Sequence, residues 1–368
     1  MAHAQKNSNK QHIHDNNEHA HSNIKLAEYP NKQYIPPLKD TYVLGVESTC
    51  DETSLSLVKG GVDVIKEVTI SQAKKHAEFG GVVPELAARK HLENFNIMGK
   101  AFLESVEKYP IHAVAVSYKV GLPPAVKVGE SFALGVSKSL NIPLIKVNHV
   151  LAHIWGVWVD DSVAQKPDFP FLGVIISGGH TMLAIFESPT QYNVVAETLD
   201  DAIGESFDKV ARVLGYGYPG GPIIEKKAKT GDEFAYDLPM PLSNKKKDYG
   251  LNFSFAGLKT AVLNLYNKLE KEHGKQLYFD YMKEDIAAGF QYTAFMHLID
   301  RIIKAIEKYK IDRIVFGGGV SANNRLYDLL WQSLQKNKID AYIYAPRPKY
   351  CMDNASLIAG YAINLIKK

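Results

Sequence analysis

In the stretch VNHVLAHIWG, residues 147–156, His149 and His153 stand four residues apart among alanine, leucine and tryptophan. On a helix that spacing puts both imidazoles on one face, near enough to share one ion. A zinc-protease helix would read H-E-x-x-H, its glutamate activating the bound water; here the second position is Val150, so the base is missing. Two neutral imidazoles, completed by a carboxylate and open positions, would suit iron, zinc or manganese. The spacing alone leaves a metal pair and a packed core pair equally open.

A second group of residues is suited to an anion. SGGHT (177–181), GYPGGP (217–222) and GGGVSANN (317–324) place glycine and small residues where strands are expected to end. Such segments let the backbone approach a ligand closely and point N–H groups at it. None is a Walker loop, and no G-x-G-x-x-G opens a helix after a strand. Taken one at a time they are turn chemistry. Three of them, together with the acidic turn at Asp51, point to a nucleotide site.

The elements that must position these residues are strands and helices in alternation. YVLGVES reads as a buried strand, TCDET as a polar turn and SLSLVKGG as a second strand. FLGVIISGGHTMLAIFES repeats that figure, and each copy is followed by further strands, AVAVS at 113–117 and RIVFGGGVS at 313–321. The repetition predicts an α/β fold with two duplicated lobes whose hairpin turns face each other across a cleft. Leu86, Leu92, Phe95, Ile97, Met98, Phe102 and Val106 recur at roughly helical spacing and predict a helix over PELAARKHLENFNIMGKAFLESVEKY. Two more helices are expected, at DIAAGFQYTAFMHLIDRIIKAIEKY and at the terminal NASLIAGYAINLIKK.

At 368 residues the chain is long enough for two lobes, each with its own core, and 46% hydrophobic with 23% charged residues fits a globular protein. No apolar run approaches the roughly 20 residues that span a bilayer, so no membrane role is expected. Cys50 and Cys351 are the only cysteines, which fits a reducing, cytoplasmic setting with an organelle as the alternative. A net charge of +3 permits a polyanionic partner without demanding one. KKAK (226–229) and NKKKDY (244–249) are candidate contacts to such a partner. The first 40 residues are rich in Asn, Lys and His and read as a disordered tail. Its His3, His12, His14, His19 and His21 could hold metal loosely.

Ordered motifs from about residue 41 to 367 carry a resemblance. GVESTCDETSLSLV, HAEFGGVVPELAARKH, VNHVLAH, ISGGHTML, DDAIGESFDKVARVLGYGYPGGP, FSFAGLKTAV, GGGVSANNRL and CMDNASLIAGYA follow one another in that order. Together they resemble the tRNA N6-adenosine threonylcarbamoyltransferase family, formerly called O-sialoglycoprotein endopeptidase, in its bacterial and organellar branch. The resemblance implies an actin-like, sugar-kinase-like ATPase fold and transfer of threonylcarbamoyl from threonylcarbamoyl-AMP to N6 of adenosine 37, in tRNAs reading codons that begin with A. It implies one divalent ion, iron or else zinc, held by His149, His153 and Asp353. Adenine-nucleotide contacts carry over onto Ile175, Ile176, Ser177, Gly178, Gly179, Asp208, Gly221, Glu225 and Asn323. Asp51 and Glu52 match acidic residues of the family's cleft and are the candidates for assisting proton loss. Besides tRNA, the implied partners are a paralogous dimerisation partner and a small ATPase subunit. The expected division is a tail (1–40), a first lobe (41–168) against which 350–368 packs back, and a second lobe (169–349).

One segment departs from the family. Where a T-x-G-P-G-L turn is usual, the chain reads SYKVGL, with Lys119 and Val120 replacing Gly-Pro. Two rival functions share the features above. A small-molecule kinase of the same fold would leave the histidine pair superfluous, and a non-catalytic nucleotide-binding scaffold would have no use for intact metal ligands.

Overall fold

The computed structural model describes residues 38–244, 246–274 and 278–366, so the His-rich start and Lys245 lie outside the described residues. It contains the repeat expected from the sequence. β1 (Tyr42–Glu47), β2 (Glu52–Lys59), β3 (Asp63–Ser71), β4 (Ala113–Tyr118) and β5 (Leu144–Asn148) form a sheet in the order β3-β2-β1-β4-β5. β6 (Phe171–Ile176), β7 (Thr181–Phe186), β8 (Tyr192–Glu197), β9 (Arg313–Gly317) and β10 (Tyr342–Tyr344) form a second sheet in the order β10-β9-β6-β7-β8. Read from β8, the second order is the first repeated. In each sheet the first two pairings are antiparallel and the next two parallel.

Alternation along the strands separates the layers. Leu44, Val46, Leu55, Leu57, Val114 and Val116 face one side of the first sheet, where Phe95, Met98, Phe102 and Val106 of the helix Pro84–Val106 cover them. On that helix Leu92 and Ile97 fall instead on the solvent side, because its apolar positions are more numerous than one buried stripe can hold. Leu172, Val174, Ile176, Ile314 and Phe316 face the far side of the second sheet, covered by the helices Ile203–Val213, Ala256–His273, Tyr278–Tyr309 and Asn324–Lys336.

Between the two sheets lies a shared core. Val43, Ala113, Ala115, Ile145 and Val147 of the first sheet and Phe171, Ile175, Ala184 and Val315 of the second belong to it. Its middle layer is made of two helical segments, one following β5 and one following β10. The first, which includes Ile154, packs on the second sheet: a Cβ on Gly317 would lie 2.5 Å from His153 O. The other, Ala355–Ala362, packs on the first sheet: a Cβ on Gly45 would lie 2.1 Å from Ala355 O. Each half thus sends its last helix across to the other.

Candidate metal centre and nucleotide cleft

The crossing segments bring the metal candidates together. Asn148 ends β5, and its side chain accepts from the N–H groups of Val150 and Leu151, starting a helical turn with His149 as its first residue. One turn later His153 stands beside it, the two rings 4.7 Å apart at 76°. After β10, Asn354 caps the helix Ala355–Ala362 by accepting from Leu357 N–H at 3.2 Å, which sets Asp353 immediately before it. Asp353 Oδ1 then lies 3.6 Å from His149 Nε2 and 3.3 Å from His153 Nε2. One donor atom from each residue falls within 4.8 Å of the others.

Local chemistry fits an ion here. Both ring nitrogens of His153 are buried and lack a hydrogen-bond partner among the described residues, an arrangement that coordination through one of them would relieve. His149 is backed by Glu47, a fully buried carboxylate whose Oε2 accepts from Nδ1–H at 2.9 Å. That bond makes Nδ1 the donor, so Nε2 is the nitrogen whose lone pair faces the site once its proton is lost. Glu47 is held in turn by Thr49, whose N–H and hydroxyl both donate to its Oε1 at 2.5 and 2.6 Å. Burial opposes charge on His149, but Glu47 and Asp353 outweigh it and push the imidazole up to about 9. Burial would likewise raise Asp353, yet His149 and His153 hold its carboxyl well below the usual range. Two imidazoles and one carboxylate, with the remaining positions open, can hold a divalent ion.

Sequence reasoning missed Glu47 and His180. A glutamate that closes an otherwise apolar strand, YVLGVE, was the available signal for the first. His180, in the second hairpin turn, is pushed down to about 4 by burial and then by the charge of His149 and His153, which places it on the same cleft.

The two hairpin turns, residues 48–51 and 177–180, occupy equivalent places in the two sheets. The first carries Asp51, which is buried, beside Glu52 at the start of β2. Tyr218 reaches across from the second half and donates to Asp51 Oδ2 at 3.4 Å. Glu52 accepts from Ser71 at 3.0 Å, and its carboxyl is pushed well above the usual range by burial and by the neighbouring Asp51 and Asp353.

The nucleotide candidates lie along one wall. Ile175 and Ile176 are buried in β6 with their side chains in the cores on opposite faces of the sheet, and Ser177 follows in the turn. The turn is seated on the helix Ile203–Val213: a Cβ on Gly204 would come within 2.5 Å of Ser177 O and 2.8 Å of Gly178 Cα. One turn further along that helix, Asp208 accepts from Gly220 N–H at 2.7 Å, fastening the start of the helix Gly220–Ala228. A Cβ on Gly178, Gly179 or Gly221 would meet nothing within 4 Å, so all three face open space. Glu225 lines a cavity of about 330 Å³ with Lys229, Gln291, Asn324 and Arg325. Asn323 is buried at its back; its side chain donates to Gln291 and accepts from Arg325 N–H. Of the lysine stretches, Lys227 is paired with Glu284 at 2.9 Å, while Lys226, Lys246 and Lys247 are exposed.

Cys351 is buried, and Cys50 is partly buried in the first hairpin turn beside Asp51. Burial first, then nearby carboxylates, raises the Cys50 thiol far above its ordinary value; burial pushes Cys351 up to about 11.

Comparison with known proteins agrees with this geometry. Among solved structures, a full-length HypF in a phosphate- and nucleotide-bound form superposes with a TM-score of 0.56 at 14% identity, covering 88% of this chain. The HypF of T. kodakarensis superposes at 0.55 and 12%, covering 90%. This chain spans only 46% and 48% of those longer proteins, and the likeness is one of fold, the actin-like ATPase architecture. The sequence profile of the tRNA N6-adenosine threonylcarbamoyltransferases matches residues 63–360. Proteins of that name from Caldicellulosiruptor saccharolyticus and Thermosipho africanus are 41% and 40% identical, over 88% and 89% of this chain and 93% and 94% of their own. At that identity and coverage, the chain belongs to the tRNA N6-adenosine threonylcarbamoyltransferase family.

Proposed function

We propose that this chain transfers the threonylcarbamoyl group of threonylcarbamoyl-AMP to N6 of adenosine 37 in tRNAs reading codons that begin with A. The observation that carries the reading is the convergence of His149, His153 and Asp353 beside an open glycine-lined wall, in a member of this family. The donor is a mixed anhydride and is already activated. The N6 amine attacks the carbamoyl carbonyl carbon, a C–N bond forms, the C–O bond to the phosphate breaks, and AMP departs with the electron pair. No nucleophilic side chain is required, in keeping with two thiols held protonated by burial.

Each group then has a task that its surroundings support. The backbone N–H groups of Gly178 and Gly179 face the phosphate, while Ser177 N–H closes the turn by donating to His180 O at 2.9 Å. Asp208 and Glu225 accept from ribose hydroxyls. His149, His153 and Asp353 would hold a divalent ion, iron or else zinc, which when bound would supply Lewis-acid polarisation of the carbonyl. Asp51 and Glu52 are the candidates for taking the proton from N6. Tyr218, by holding Asp51 across the cleft, supports the pair.

The reaction is placed in the cytoplasm, with an organelle as the alternative; no described helix is long and apolar enough to cross a membrane. A paralogous dimer partner and a small ATPase complete the proposed assembly, and exposed Leu92 and Ile97 are candidate contacts for it. The test is mass spectrometry of nucleosides from unmodified tRNA incubated with threonylcarbamoyl-AMP, this chain and its partner proteins. Threonylcarbamoyladenosine at position 37 is the expected product. Its absence, with ADP and a phosphorylated small molecule formed in a parallel incubation with ATP, favours the kinase reading.

A further inference from the structure

The turn after β4 has an unusual backbone. Lys119 and Val120 both lie in the left-handed region, at φ 55° and 64°. Lysine rarely adopts it, and a β-branched valine there is a genuine outlier. The turn is fixed against the site from two sides. A Cβ on Gly121 would come within 2.7 Å of Thr49 O, and Leu122 N–H donates to the same oxygen at 2.8 Å. Thr49 is the residue that grips Glu47 behind His149. On the other side, Tyr118 pairs with Asn148, the residue preceding His149. Residues 118–121 therefore form a lip of the metal cleft.

The lip is cationic and exposed. Lys119 Nζ lies 6.0 Å and Lys146 Nζ 4.4 Å from the centre of the Tyr118 ring. Lys146 and Lys127 are both neutralised by Glu130, at 2.8 and 2.7 Å. No carboxylate pairs with Lys119 among the described residues. Glycine would relieve the left-handed strain at position 119, and this chain carries a lysine there instead. Strain retained beside a site, with an unneutralised charge as its result, marks a functional position.

We propose that this lip contacts the tRNA backbone, with Lys119 pairing with a phosphodiester close to the adenosine whose N6 enters the cleft. The proposal rests on the transfer reading above. A nucleotide that reaches His149, His153 and Asp353 carries its neighbouring phosphates past the rim of the cleft, and the lip is part of that rim. A single phosphate contact adds about one unit to the slope of log affinity against log salt.

The test compares the full-length protein with Lys119→Gly and Lys119→Arg, using anisotropy titrations of unmodified tRNA from 50 to 200 mM salt, AMP binding and thermal melts. Lys119→Gly should melt at the same temperature or about 1–3 °C higher. It should bind tRNA several-fold more weakly at low salt, with a slope shallower by about 1, and bind AMP unchanged. Lys119→Arg should bind tRNA like the parent protein. Unaltered tRNA affinity and slope in Lys119→Gly, while the parent still modifies adenosine 37, overturns the lip and leaves the transfer reading standing. Weakened AMP binding with intact tRNA binding, or a lowered melting temperature, also overturns it, since Lys119 would then serve the nucleotide or the fold. A parent protein that neither binds nor modifies tRNA overturns the transfer reading and the lip with it.

Discussion

His149 and His153 share an ion only if their rings are held, and Glu47 is what holds the first of them. Replacing His149 with alanine leaves two ligands, a remnant that binds divalent ions weakly, so metal retained after desalting should fall from about one equivalent to near none. Glu47→Gln keeps the volume but turns a carboxylate acceptor into a partial donor, so metal affinity should drop about 10–100-fold in a chelator competition. Unchanged metal content in both variants would refute the site. The segment around Asp353 allows a second contrast. Cys351 is buried, and its Sγ–H faces the carbonyl of Pro346 at 3.5 Å, with no route to the cleft. Cys351→Ala should keep most transfer activity, and Asp353→Ala, two positions on, should lose at least about 100-fold. A dead Cys351→Ala beside a normal Asp353→Ala would refute a metal-centred reaction. Spacing put the two histidines on one helix face but left a metal pair and a packed pair equally open. Asp353 was not legible from spacing: about 200 residues separate it from His153, and only the family resemblance joined them.

At the scale of elements, the hairpins were legible because apolar strands interrupted by small polar turns have few other ways to fold. What sequence could not distinguish was which glycines face a ligand and which face the protein. Gly178 has open space over it, whereas Gly204 lies against the backbone of Ser177 and Gly178. Gly178→Val should therefore melt within about 1 kcal/mol of the parent and lose adenine-nucleotide binding by isothermal calorimetry. Gly204→Ala should cost about 1–3 kcal/mol in a urea titration, since the hairpin must shift to admit even a methyl group. The opposite order of stabilities would mean that the hairpin is not seated as described. Acidic residues pose a comparable ambiguity. In DDAIGESFDK, Asp200 accepts from the N–H groups of Phe255 and Ala256, and Asp201 pairs with Lys209 and Lys259. These carboxylates hold loops and helices, and residue type alone does not separate them from Asp51.

For the molecule as a whole, the duplication and the return of 350–368 to the first lobe were expected, whereas the crossing of the segment after β5 to the second sheet was not. Apolar periodicity reports that a helix is covered on one face, without reporting which sheet covers it. Because Ala355–Ala362 lines the first sheet while Ile154 and its neighbours pack against the second, neither half has a complete inner layer of its own. Differential scanning calorimetry should accordingly give one transition, with calorimetric and van't Hoff enthalpies in agreement within about 10–20%. Two resolved transitions would mean that the halves unfold independently and that the shared layer contributes little. A chain ending at residue 349 would leave Val43, Ala113 and Ala115 without cover, and the metal site without its carboxylate.

That last helix also bears on how the protein is made. Synthesis proceeds from the N-terminus, and a domain can begin to fold while its later residues are still inside the ribosome. Here β1 is among the earliest structured segments to emerge, yet the helix that covers its inner face and the aspartate that closes the ion site are among the last. A nascent chain from which Asp353 has yet to emerge therefore holds His149 and His153 without their carboxylate partner. Premature termination anywhere upstream of Asp353 yields a polypeptide that cannot pass for the finished enzyme: it lacks a closed core, it lacks the ion site, and it offers quality-control proteases an uncovered sheet.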